Sequence, residues 1–126
     1  MNIIISNSST DPIYQQIKDQ IKQSILRDEI KEGEPLPSMR RLAQDLRISV
    51  ITTKRAYEEL EKEGFITSFV GKGSFVAGQN SDLIQEKRLR MIEDRLSDLV
   101  MESRKLDITL EQLKEMLEML YEGDEE

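Results

Sequence analysis

The chain contains no cysteine and no histidine among its 126 residues. Without cysteine there is neither a disulfide nor a thiol nucleophile, which suits a reducing compartment such as the cytoplasm. Without histidine the usual zinc-ligand sets and the commonest general base are also missing. No stretch is long and apolar enough to read as a membrane span. The opening MNIIIS is too short for a secretory signal and lacks its cationic start, so a cytoplasmic location is expected. There is no glycine-rich phosphate loop and no nucleophile with a base nearby. These absences count against an enzyme, and no cofactor or metal is expected.

What is present is 37% hydrophobic and 34% charged, the composition of a helical globular chain with room for one small domain and an appendage. The net charge of −7 is unevenly spread. Residues 1–80 carry 11 Lys+Arg and 11 Asp+Glu, net 0, whereas residues 81–126 carry 7 and 14, net −7. The acidity therefore belongs to the tail, and a basic face remains open to the head. The polar stretch Gly78–Ser81 reads as a hinge between a head, residues 1–78, and a tail, residues 79–126.

The segment from Leu36 to Ile66 reads as two short helices joined by a tight turn. Ser38 is placed to cap the first, and Leu42, Ala43 and Leu46 make its buried stripe. Arg47, Ile48 and Ser49 form the turn, with Ser49 as the second cap, and Gly64 ends the second helix from outside. At about 100° per residue, Thr53, Ala56, Tyr57 and Leu60 gather on one side of that helix and Ile51, Arg55, Glu58 and Lys62 on the other. The first set is expected to be core and the second to face outward, although a slip of helical phase would return Ile51 to the core. Between Leu36 and Tyr57 the net charge is +4, and the acids Glu58, Glu59, Glu61 and Glu63 come only afterwards. A helix entering a DNA groove N-terminus first needs its cations in the leading turns, where the helix dipole also favours phosphate.

On either side of this pair the pattern predicts further elements. Residues 2–6, NIIIS, suggest a short strand. Asp11 and Pro12 suggest a cap and first position for a helix carrying Tyr14, Ile17, Ile21 and Ile25, ending near Asp28. Residues 30–36 suggest a loop. Phe65–Val76 suggests a hairpin whose tip holds Gly71, Lys72 and Gly73, so that the whole head is a winged helix-turn-helix. In the tail, Leu89, Ile92, Leu96 and Leu99 mark a helix from about Asp82 to Arg104. Thr109 with Gln112 resembles a capping box, Ile108 facing Leu113 a staple, and Leu110, Leu113, Leu117 and Leu120 a second helix to about Tyr121. The closing EGDEE is expected to be frayed. The fold class is thus mainly α with a small β wing, a winged helix-turn-helix head plus a two-helix dimerisation tail.

The motifs PIYQQI, LPSMRRLA, TKRAYEELEKEG and GKGSFV, in this order across residues 12–77, resemble the N-terminal head of GntR-type bacterial transcription regulators. The two-helix tail is similar to the YtrA-type subgroup, in which that part mainly dimerises the protein and whose members are often linked to transporter operons. The resemblance implies operator binding by Arg40, by Ser49–Arg55 and by the wing at Gly71–Gly73. Arg40 matches the arginine of the LPSxRxLA segment and Thr52 the threonine before the AY pair. Val50 and Ile51 stand where several members have polar residues or arginine, which implies apolar contact with a thymine methyl in place of a hydrogen bond.

The expected DNA-contacting set is therefore Ser38, Arg40, Arg41, Ser49, Ile51, Thr52, Lys54, Arg55, Gly71, Lys72 and Gly73. The bland alternative is a solvated face in which Arg40, Arg41, Lys54 and Arg55 pair along their own helices with partners such as Glu58 and Glu59. Lys72 has its own alternative as a solubilising hairpin tip. Tyr14 and Tyr57 are expected in the core. The expected dimer interface comprises Leu89, Ile92, Leu96, Leu99, Met101, Leu113, Met116, Leu117 and Leu120, with the methionines as adaptable packing. Two helices with one leucine stripe each are expected to bury those stripes against each other and to leave Met101, Met116 and Met119 partly uncovered, for a second copy to cover. The partners expected are double-stranded DNA and a second copy of the chain, with no membrane and no specified small-molecule effector. The competing function is a winged-helix protein-interaction module that shows no sequence preference among duplexes. An enzyme is the third and most distant reading: GntR-like heads also occur fused to an aminotransferase-like domain that uses pyridoxal phosphate, and the residues after Gly78 are too few to form one.

Overall fold

Helix α3 (Val50–Lys62) is the element against which both α1 (Ile13–Leu26) and α2 (Met39–Leu46) pack, in a computed structural model that describes residues 1–78 and 81–123. Its inward face is the expected one, with Thr53, Ala56, Tyr57 and Leu60 closed to solvent, and α1 answers with Ile17, Ile21, Ile25 and Leu26. Full burial of one such aliphatic side chain is worth about 1.5–3 kcal/mol. Tyr57 satisfies its hydroxyl by donating to Pro37 O at 2.7 Å, which ties α3 to the lead-in of α2. The Thr53 hydroxyl lies 2.8 Å from Val50 O and 3.1 Å from Met39 O.

Four helix ends close in the same way. Phe65 N–H reaches back to Leu60 O and Gly64 N–H to Glu61 O, the Schellman arrangement, with Gly64 at φ +84°. The same pair of bonds ends α1 at Asp28, α2 at Arg47 and α4 (Ser81–Lys105) at Asp107, all with φ near +60°. These three residues lack glycine's freedom, and aspartate tolerates the left-handed region better than most.

The expected strand at residues 2–6 does not form; the segment lies on α1 instead. The Gln20 side-chain amide exchanges two hydrogen bonds with the Ile4 backbone, at 2.9 and 2.7 Å, and Gln16 does the same with Ser6, at 2.9 and 3.1 Å. Two residues of extended chain advance about 6.6 Å and four residues of helix about 6 Å, so two glutamines one turn apart imitate a partner strand. Asp11 does not cap α1: Pro12 occupies the cap position and no side chain bonds there.

The wing consists of β1 (Ile66–Phe69) and β2 (Gly73–Val76), antiparallel with Ile66 opposite Val76 and Phe69 opposite Gly73. Lys72 N–H closes the turn onto Phe69 O at 3.0 Å. Gly71 and Gly73 have φ of +77° and +101°, and an added Cβ would meet nothing within 4 Å, so backbone conformation alone requires glycine there. The stretch expected to be loop before α2 carries a third edge. Gly33 N–H bonds to Val76 O, Val76 N–H to Glu34 O and Leu36 N–H to Ser74 O, which makes β2 the middle of a three-strand arrangement.

By compactness the chain divides into Met1–Arg88 and Leu89–Glu126. The first turns of α4 accordingly belong to the head: Lys87 Nζ stands 4.2 Å from the Phe65 ring centroid and Arg88 Nε donates to Leu26 O at 2.6 Å. The expected hinge at Gly78–Ser81 and the expected fraying of the last five residues fall largely on 79–80 and 124–126, outside the described residues. In the tail, α4 and α5 (Leu110–Gly123) follow the predicted spans closely. The Thr109–Gln112 capping box forms, with Gln112 N–H to Thr109 Oγ1 at 3.1 Å and Thr109 N–H to Gln112 Oε1 at 2.9 Å. One expectation fails: the two helices do not bury their stripes against each other. Among the described residues Ser103, at the corner, is the only buried tail residue, and α5 buries none.

Candidate nucleic-acid interface

The turn between α2 and α3 fixes which side chains lead. Ser38 Oγ accepts from Arg41 N–H at 3.0 Å and Ser49 Oγ from Thr52 N–H at 3.2 Å, so each helix begins on a serine cap with its next residues in register. Ser49 Oγ also shares a 2.9 Å hydrogen bond with Thr52 Oγ1, which leaves Thr52 half-buried and tied to the cap.

Ile51 is 79% exposed, so the alternative in which it returns to the core is wrong. Val50 beside it is also exposed, leaving two adjacent aliphatic side chains in solvent on the first turn of α3. Burial does not account for them; contact with a partner surface would. Lys54 and Arg55 follow on the next turn, both exposed, and Arg40 and Arg41 are exposed on the first turn of α2.

The charge partners separate this end of α3 from the other. At the far end Glu63 accepts from Lys18 at 2.9 Å and pairs with Lys22 at 3.4 Å, both on α1. Burial pushes the Glu63 carboxyl up, but the hydrogen bond from Lys18 and the charges of both lysines outweigh it and hold the acid below its ordinary value. The hydrogen bond to Glu63 correspondingly raises Lys18. At the leading end the pairing with Glu58 and Glu59 does not occur. Glu59 pairs with Lys62, Arg41 with Asp45 at 3.5 Å, and Arg40 and Lys54 have no ion pair among the described residues. The Arg41–Asp45 pair is solvated on both sides and worth at most about 1 kcal/mol, a small obstacle to exchange for a phosphate.

Tyr57 is core, as its pattern predicts, and burial alone pushes its hydroxyl well above the ordinary phenol value, so it stays neutral. Tyr14 is different. It is half-buried, and the Arg55 guanidinium lies over its ring, 3.9 Å from the centroid, with Nη2 donating to the hydroxyl at 3.3 Å. By its spacing Tyr14 falls in the apolar stripe of α1, and a residue 41 positions from its partner gives no local sign of the pairing.

The wing adds Gly71, Lys72 and Gly73 at its tip, all exposed, and Lys72 has no ion pair among the described residues. Val70, absent from the expected set, is fully exposed beside it, and Phe69 is half-exposed against Phe75 with ring centroids 6.1 Å apart. The helix pair, its cations and the wing are thus parts of one compact unit.

Residues 13–76 match the family described as "Bacterial regulatory proteins, gntR family". The chain is 34% identical over 115 residues to the HTH-type transcriptional repressor YtrA of Bacillus subtilis, which spans 91% of this chain and 88% of that one. Among solved structures it is similar to a GntR family transcriptional regulator from Listeria monocytogenes, with TM-score 0.74, 27% identity and coverage of 90% of this chain and 97% of that one. It is also similar to AraR(DBD) in complex with operator ORX1, with TM-score 0.54 and 26% identity over 61% of this chain and 96% of that one.

Proposed function

Because the chain belongs to the gntR family of bacterial regulatory proteins, and is therefore a DNA-binding transcription regulator and not an enzyme, we propose that it acts as a homodimeric repressor on an inverted-repeat operator. The observation that carries the reading is the leading end of α3. There Val50 and Ile51 stand in solvent above Lys54 and Arg55, while the acids of the same helix are gathered at its far end. In a major groove, apolar side chains at that position meet thymine methyls, and cations one turn behind meet phosphates. Arg40 and Arg41 contact the flanking backbone, Ser38, Ser49 and Thr52 set the two helix starts against it, and the Gly71–Gly73 tip brings Lys72 to the duplex beside the groove.

Dimerisation is assigned to the tail, where Leu89, Ile92, Leu96, Leu99, Met101, Met116, Leu117 and Leu120 are exposed and Leu113 is half-buried. A two-fold dimer presents the same helix twice and so reads the same bases on opposite strands. Repression follows the role named for the Bacillus relative.

The test selects bound sequences from a random duplex library and footprints the best of them. Two protected half-sites related by a two-fold axis are expected; a single asymmetric half-site excludes the dimeric reading. Arg40→Ala should weaken operator binding with no loss of helix content, flattening the slope of log K against log salt by about 0.9 for each phosphate the variant no longer neutralises. If that variant binds normally, the groove assignment is wrong.

A further inference from the structure

Arg55 differs from the other cations of the interface in having a fixed seat. Arg40, Lys54 and Lys72 extend without ion pairs among the described residues, and Arg41 has only a solvated carboxylate within reach. Arg55 instead has its guanidinium over the Tyr14 ring, 3.9 Å from the centroid, and is bonded to the Tyr14 hydroxyl, which links the second turn of α3 to the first turn of α1.

The chemistry of the pair leaves the arginine competent to bind. A guanidinium carries five N–H donors in a fixed fork. One donor is used by the phenol oxygen, and the others remain on a side chain that is exposed. A flexible cation must surrender its rotamer freedom when it meets a phosphate, which opposes binding. In Arg55 the contact with Tyr14 restricts that freedom before DNA arrives.

We infer that Tyr14 is a positioning residue for DNA binding: its ring holds the Arg55 guanidinium ready for a backbone phosphate. The inference rests on the DNA-binding reading of α3 and adds to it a residue on a different helix. It explains why a half-buried tyrosine stands at the start of the α1 stripe, where an aliphatic residue would serve packing alone.

A phosphate contact carries no sequence information, so the probe is a mixed-sequence duplex titrated with the full chain over a range of salt. The outcome does not depend on any operator being found, and a wild-type chain that binds no duplex overturns both readings together. Arg55→Gln should flatten the salt slope by about 0.9 for each phosphate released. Tyr14→Leu should weaken binding about fivefold in the wild-type background, the size of an exposed cation–π contact at two sites, and change nothing further when Arg55 is already Gln. Tyr14→Phe keeps the ring and should stay within about twofold of wild type. Equal losses from Tyr14→Leu in both backgrounds would reduce Tyr14 to a structural residue, and wild-type affinity in Arg55→Gln would remove Arg55 from the interface. A measurement that needs no variant is the ring-current shift of the Arg55 side-chain protons. It should be present in the free protein and persist when duplex is added; its loss on binding would show that Arg55 leaves Tyr14 to reach DNA and overturn the inference.

Discussion

Ile17, Ile21 and Ile25 in the head recur at helical spacing and are closed to solvent, whereas Leu89, Ile92, Leu96 and Leu99 in the tail recur at similar spacing and remain 48–55% exposed. The patterns are alike; the surroundings are not. In the head, α1, α2 and β1 all converge on α3, and an apolar stripe on any one of them meets another. In the tail each helix has a stripe, and neither helix buries the other's. The charge differs as well, with the tail's sequence carrying the whole net charge of −7. Periodicity therefore identifies an apolar face without saying what covers it.

The sharpest way to break this contrast is to remove the tail. A chain ending at Arg88 keeps Lys87 on Phe65 and Arg88 on Leu26 and should fold as a monomer. It should lose operator affinity by about 10² to 10⁴, the avidity that joining two heads supplies. Sedimentation and operator titration against the full chain decide it. A truncated head that stays dimeric, or binds the operator fully as a monomer, would assign dimerisation elsewhere.

A second comparison sets one leucine against another. Leu60→Ala, in a fully buried position, should cost the head about 2–5 kcal/mol in denaturant unfolding. Leu96→Ala, half-exposed, should leave head unfolding unchanged and instead raise the concentration at which the dimer dissociates. Equal losses of head stability from both changes would erase the distinction.

The smallest effect concerns the acid end of α3. Glu63 is held below its ordinary value in the fold, so its contribution to stability is complete above the unfolded carboxylate value of about 4.3 and is lost as the pH falls through the lowered folded one. Its side chain is one-third exposed, which limits that contribution to less than about 1 kcal/mol. Glu63→Gln should be slightly less stable than wild type at neutral pH, with the gap closing on acidification below that value. A gap that stays constant down to strongly acidic pH would mean that the lysine pairs do not stabilise the fold.

What the sequence determined by itself is what neighbours within one or two turns decide. The serine caps at Ser38 and Ser49, the Thr109–Gln112 box, the stop at Gly64, the wing turn at Gly71 and Gly73, and the two faces of α3 all rest on residues at most about five positions apart. They form wherever that stretch of chain is helical or turns. The tertiary structure alone decided which partners arrive from afar: Gln16 and Gln20 beneath the N-terminal segment, residues 33–36 along β2, and Tyr14 under Arg55. It also left the tail stripes uncovered. These pairings span ten to more than forty positions, and their side chains carry no periodic sign because each serves a single contact whose geometry exists only after the helices have packed.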